Sequence, residues 1–175
     1  ERWLHDGLTG AGARWNILAQ PVLMAQLQRK PLPERRFWND GWDGYPAARS
    51  RLLRAIAELR PANPVVIGGD AHFHCVADLK PDFDEPASPV VATEFCGTSI
   101  TSQSQPQARL DALLADNPHV RLLDGRRRGY VTLELTEGRC LARLRVLDSE
   151  KDPDAPIATL AEFIVEDGRP GARQT

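Results

Sequence analysis

Apolar and polar residues alternate along the chain in two periods, and these periods mark out its elements. From Pro46 to Leu59, Ala47, Ala48, Leu52, Leu53, Ile56 and Leu59 form a helical stripe, with Arg49, Arg51, Arg54 and Glu58 mostly opposite it. Pro61 and Pro64 end that helix. The spacing predicts a shorter helix over 106–115, with Leu110, Leu113 and Leu114 on one side, and another opened by Pro21, with Val22, Met24, Ala25 and Leu27 facing inward. A period of two runs through 129–135 and again through 140–147, so these segments read as a hairpin turning at 136–139. Short unbroken apolar runs at 13–19, 65–67 and 89–95 read as buried strands, and 160–165 as a last apolar segment. A glycine-bearing turn is expected around 8–12, a loop at Lys30-Pro31-Leu32-Pro33, and a frayed tail over 166–175. No internal repeat or second boundary breaks the chain, which reads as a single α/β unit over 1–175 with a mixed sheet.

Composition narrows the picture only a little. The chain has 175 residues, 42% hydrophobic and 26% charged, enough for one ordinary core. A net charge of -2 gives no general attraction to nucleic acid or to acidic membranes. No 18-residue apolar span appears, and no basic-then-apolar leader. Cys75, Cys96 and Cys140 are odd in number and lack zinc-type spacing; one disulfide with a free thiol is open to them, and three buried thiols is the simpler reading.

The sharpest chemical feature is Gly68-Gly69-Asp70-Ala71-His72-Phe73-His74, at the end of a buried strand. Residues 70, 72 and 74 alternate, so in extended backbone one carboxylate and two imidazoles would converge on one point, as a cation requires. The competing reading has Asp70 capping a turn and the histidines buried and hydrogen-bonded. A second feature, Asp40-Gly41-Trp42-Asp43-Gly44-Tyr45-Pro46, offers either another carboxylate ligand beside an aromatic wall or a cap for the following helix. In the third, Thr93 to Ser102, hydroxyls and amides at a strand end suit phosphate oxygens, or simply a solvated turn. Arg126-Arg127-Arg128 suits a polyanion, but reads more simply as a solvated corner paired with acids. Nucleophile-elbow, P-loop and dinucleotide signatures are absent.

An ordered set of short motifs resembles the PhoD-like alkaline phosphatases. It comprises Arg14-Trp15 with Gln20, Asp40-x-Trp42-Asp43-Gly44-Tyr45-Pro46 with Arg49, Gly69-Asp70-x-His72, and Thr93-Glu94-Phe95-x-Gly97-Thr98-Ser99-Ile100. Asp124-Gly125, Arg128-Gly129-Tyr130 and Asp152-Pro153-Asp154-Ala155-Pro156 extend it over nearly the whole chain. The resemblance implies a metallophosphoesterase fold, a four-layer αββα sandwich of which this chain is the C-terminal part. It implies hydrolysis of phosphate monoesters and diesters with iron (Fe3+) and calcium (Ca2+), typically outside the cell. It also makes Asp70 and His72 the first metal ligands, Asp43 the third with Asp40 its rival, and His74 a substrate-facing group able to protonate a leaving oxygen. His74 itself departs from the family's usual pattern.

The resemblance further implies that the remaining ligands, among them a Cys and a Tyr, lie upstream of the region matched here. None of the three cysteines stands in for that Cys. The chain is therefore expected to carry a partial site, completed by the upstream half of the domain or by an oligomer, and to be inactive alone. Two other readings stay open: a binding module that kept the fold and lost catalysis, and a small complete metal hydrolase using Asp70, His72 and His74.

Overall fold

The structure, a computed structural model, describes residues 1–10, 12–29, 34 and 36–175. The expected loop at Lys30–Pro33 lies outside the described residues.

Two sheets stack face to face. The first is five-stranded and mixed, in the order β1 (Asn16–Ala19), β2 (Pro64–Gly68), β4 (Ala92–Cys96), β3 (His74–Leu79), β5 (Val120–Asp124). The strands β1, β2 and β4 run parallel, and β3 runs antiparallel to both β4 and β5. The second sheet is antiparallel, in the order β6 (Arg128–Leu135), β7 (Arg139–Leu147), β8 (Ile157–Glu166), β9 (Arg169–Gln174). Helices α1 (Arg2–Thr9), α2 (Pro46–Leu59) and α3 (Gln107–Leu114) cover the far side of the first sheet.

Alternation along the strands builds two cores. Val66, Cys75, Ala77, Leu79, Ala92 and Cys96 pack against Leu8, Leu53, Ile56 and Leu110 of the helices. The intervening Val65, Val76 and Phe95 pack against Cys140, Ala142, Leu144, Phe163 and Val165 of the second sheet. All three cysteines are buried and free, as expected.

The α/β mixed-sheet reading holds, as do α2, α3 and the β6–β7 hairpin. The terminal hairpin proves to be half of a four-stranded sheet. The frayed tail is a correction. Gly168, at φ 72°, turns the chain back from β8, and β9 pairs with it. There Gly171 N–H donates to Thr93 Oγ1 at 3.0 Å and Ala172 N–H to Asp78 Oδ1 at 3.1 Å, tying β9 to the first sheet.

The helix expected after Pro21 is absent, although its apolar residues are buried. Its backbone is satisfied by side chains instead. Met24 and Ala25 N–H donate to the two Glu94 oxygens at 2.7 Å each, Leu27 N–H to Asp43 at 3.0 Å, and Gln28 N–H to Asn117 at 2.8 Å. Arg49 donates to the Met24 carbonyl at 3.2 Å, and His119 Nε2 lies 2.7 Å from that of Gln26. With buried acceptors waiting outside the segment, these N–H groups keep partners on an irregular path.

Candidate functional site

The parallel strands β1, β2 and β4 all end on the same edge of the first sheet, and the loops leaving them meet there. Gly69 N–H donates to the Pro21 carbonyl at 3.2 Å, and Gly97 N–H to the Gly68 carbonyl at 2.9 Å. A Cβ at Gly68 would lie 2.8 Å from the Val22 carbonyl oxygen, so this close approach requires glycine.

The chain then bends. Asp70 and His72 both adopt left-handed backbone, at φ 65° and 61°. The extended geometry expected over 70–74 is thereby corrected, and the three side chains do not share a direction. Asp and His tolerate this region better than most residues, yet two such residues in five mark a turn held by its surroundings.

The three residues meet different fates. The Asp70 carboxylate is exposed and forms no hydrogen bond or ion pair among the described residues. His72 is half-buried, with Nδ1 3.3 Å from the Gln103 carbonyl. A carbonyl can only accept, so in the neutral ring this contact places the proton on Nδ1 and leaves Nε2 as the acceptor. That arrangement is common in metal-ligating histidines.

His74 is fully buried. It shares the parity of Val76 and Asp78, so its ring points between the sheets, where Nδ1 accepts from Thr98 N–H at 3.4 Å. Burial is the main cause that lowers its pKa to about 4. With Nδ1 accepting, the proton of the neutral ring sits on Nε2, which is buried without a hydrogen-bond partner among the described residues. The expectation of a substrate-facing acid at His74 is corrected.

Asp43 also takes a different place. It lies in a single turn of 3₁₀ helix, Trp42–Gly44, with its side chain 6% exposed. One oxygen pairs with Arg49 at 2.5 Å, and the other accepts from Leu27 N–H. Arg49, expected on the polar face of α2, is 4% exposed and donates as well to Met24 and Gln26. Both Asp43 oxygens are thus engaged in bracing 24–27. Asp40 is exposed and accepts from Trp38 Nε1 at 3.1 Å. Trp42 donates to Gln20 at 3.1 Å, and Tyr45 lies 67% exposed. Among the described residues no three His, Cys, Asp or Glu side chains cluster as a metal would need. The Asp70 carboxylate and His72 Nε2 are of the types a cation takes as ligands, and neither has a hydrogen-bond partner among the described residues.

Two contributors escaped sequence reasoning. Glu94 is wholly buried under the segment at 24–25, and burial pushes its pKa up to about 7 against the pull of the two N–H groups it accepts. Its buried strand position gave a signal, but its partners lie about seventy residues away in sequence. Arg128, read as part of a solvated corner, is 2% exposed. Arg126 and Arg127 do behave as such a corner, pairing with Asp124 at 2.8 Å and Asp148 at 3.6 Å. Thr98 and Ser99 spend their hydroxyls on the carbonyls of His72 and Ser102.

The fold and site together describe part of a two-sheet α/β protein, with an exposed carboxylate and a half-buried imidazole on a turn at the strand ends. A sequence profile described as PhoD-like phosphatase matches residues 1–144, and the chain belongs to that family. It is 34% identical over 177 residues to the alkaline phosphatase D of Bacillus subtilis strain 168, covering 99% of this chain and 30% of that protein. A solved structure titled "Structure of PhoD" superposes with a TM-score of 0.91 at 33% identity, over 99% of this chain and 34% of that one. The chain therefore spans about a third of the length of each of these relatives.

Proposed function

We propose that this chain forms part of a metal-dependent phosphoric ester hydrolase, supplying Asp70 and His72 to a site completed by residues outside it. The observation that carries this reading is the contrast in polar satisfaction at the strand ends. The hydroxyls of Thr98 and Ser99 and the Arg128 guanidinium are engaged, whereas the Asp70 carboxylate and His72 Nε2, on left-handed backbone, have no hydrogen-bond partner among the described residues. Of the buried atoms nearby, His74 Nε2 and Ser104 Oγ also lack one.

A second observation supports completion from outside. The edge strands β1 and β6 lie on one side of the sandwich, linked by Trp15 Nε1 donating to the Thr136 carbonyl at 2.7 Å. Between the sheets there, a groove of about 270 Å³ opens, lined by Ile67, Val131, Leu133, Gly69 and Thr98. Val131 and Leu133 point inward yet are only half-buried, and among the described residues neither strand pairs along its outer edge. An apolar interior left open beside free strand edges suits further strands and core from the rest of the same domain.

Asp70 would contribute negative charge and His72 a neutral nitrogen to a bound cation, with iron and calcium the choices implied by the resemblance. Bound metal supplies charge neutralisation at the phosphoryl oxygens and a more acidic water. The chain's own residues do the rest of the work assigned to them here. Gln103 fixes the His72 tautomer, the β2 and β4 ends hold the turn, and Asp43, Arg49 and Glu94 brace the segment beneath it.

The test is hydrolysis of an aryl phosphate and an aryl phosphodiester, with iron and calcium supplied. The chain alone is expected to be inactive, and the complete protein active in a manner lost with Asp70→Ala. Activity of the isolated chain that vanishes with Asp70→Ala would overturn the partial-site reading. An inactive complete protein would favour a binding module.

A further inference from the structure

The geometry points to Arg128 and Thr98 as positioning residues that clamp the His72 carbonyl and so aim its imidazole. This inference rests on the ligand role proposed for His72. The His72 carbonyl receives two donors, Thr98 Oγ1 at 3.1 Å and Arg128 Nη1 at 3.2 Å. His72 sits in left-handed backbone, where its carbonyl direction must be held against the ordinary preference of an L residue. Two donors from two separate elements, the loop after β4 and the start of β6, hold it there.

Arg128 is an unusual choice for a merely structural part. Its guanidinium is buried and has no carboxylate partner among the described residues. Its donors go to the carbonyls of His72, Ser102 and Gly125 and to Ser99 Oγ at 2.9 Å. Burying a full positive charge on neutral acceptors is costly, and one flat fork spanning three backbone segments fixes their relative placement. Those segments are the turn at 72, the loop at 99–102 and the chain at 125. The loop at 99–102 leads directly to Gln103, whose carbonyl faces His72 Nδ1. Arg128 thus governs His72 from both ends, through its carbonyl and through the loop that orients its ring. Next to it, Gly129 N–H donates to the Ser99 carbonyl at 3.2 Å, a further tie between the start of β6 and that loop.

The experiment uses the complete protein loaded with Fe3+ and Ca2+ and dialysed against graded chelator. Retained metal is measured by elemental analysis, beside the thermal midpoint of the metal-free protein. Thr98→Val and Arg128→Lys are expected to weaken retention about 10- to 100-fold, beyond any change in the metal-free midpoint, and Thr98→Ser to restore it. If Arg128→Lys does not fold, the Thr98 pair decides. Wild-type retention in Thr98→Val while Asp70→Asn loses metal would overturn the clamp. So would losses that merely track the metal-free midpoint. Wild-type retention in Asp70→Asn would instead overturn the ligand reading beneath it.

Discussion

Two loops leave neighbouring parallel strands at the same end of the first sheet and end in opposite electrostatic conditions. After β1, the segment at 20–28 is buried, and its backbone groups are met one by one by Gln20, Glu94, Asp43, Arg49 and Asn117. After β2, the turn at 69–73 bends through two left-handed residues and leaves a carboxylate and an imidazole nitrogen free. The first loop takes up the carboxylates of Asp43 and Glu94 as acceptors for its N–H groups, and the second leaves that of Asp70 without a donor among the described residues. Residue type alone does not separate the carboxylates at the two loops, because Asp43 and Asp70 are both aspartates close behind a glycine. What separates them is whether a buried donor has already claimed the oxygens.

The largest effect should come from breaking the saturated loop. Asp43→Ala strands the buried Arg49 guanidinium and is expected to destabilise the protein by about 3–5 kcal/mol, read in urea unfolding. A loss below about 1 kcal/mol would return Asp43 to the list of free ligands.

Glu94→Gln should cost less, about 1–3 kcal/mol, since an amide NH2 must face a backbone donor where a carboxylate oxygen stood. It also carries a pH signature. Because the folded pKa of Glu94 is raised to about 7 from its ordinary value near 4.5, the folded state holds this proton longer than the unfolded one. Its contribution is complete below about pH 4.5 and is lost as pH rises through about 7. Removing the carboxyl should flatten that part of the stability–pH curve, and an unchanged slope in Glu94→Gln would contradict the assignment.

The smallest effect on stability is expected at the unsatisfied turn. Asp70→Asn keeps a residue that accepts left-handed backbone and breaks no hydrogen bond, so unfolding should shift by no more than about 0.5 kcal/mol. Metal retention should nevertheless collapse. A large stability loss without metal would make Asp70 a structural residue like Asp43.

Much of the fold was legible because its periods are strong. The stripe of α2 and the alternation of β6 and β7 are set by local spacing. The helix expected after Pro21 failed because distant partners, the acceptors Glu94, Asp43 and Asn117 and the donor Arg49, outbid local helix bonds, which no spacing reveals. The strand β3, with all six residues buried, shows no alternation to read. At the site, Asp70 and His72 stood out as sequence, but the extended-backbone premise that grouped His74 with them did not survive the bend. Arg128 was hidden by its neighbours, two ordinary surface arginines that gave the triplet the look of a solvated corner.

The most direct test is a crystal structure of the complete protein with its metal, phased on the metal's anomalous signal. The account predicts density bonded to the Asp70 carboxylate and to His72 Nε2, with Asp43 still paired to Arg49 and His74 still buried. Metal bound elsewhere, with the Asp70 carboxylate facing solvent, would contradict it.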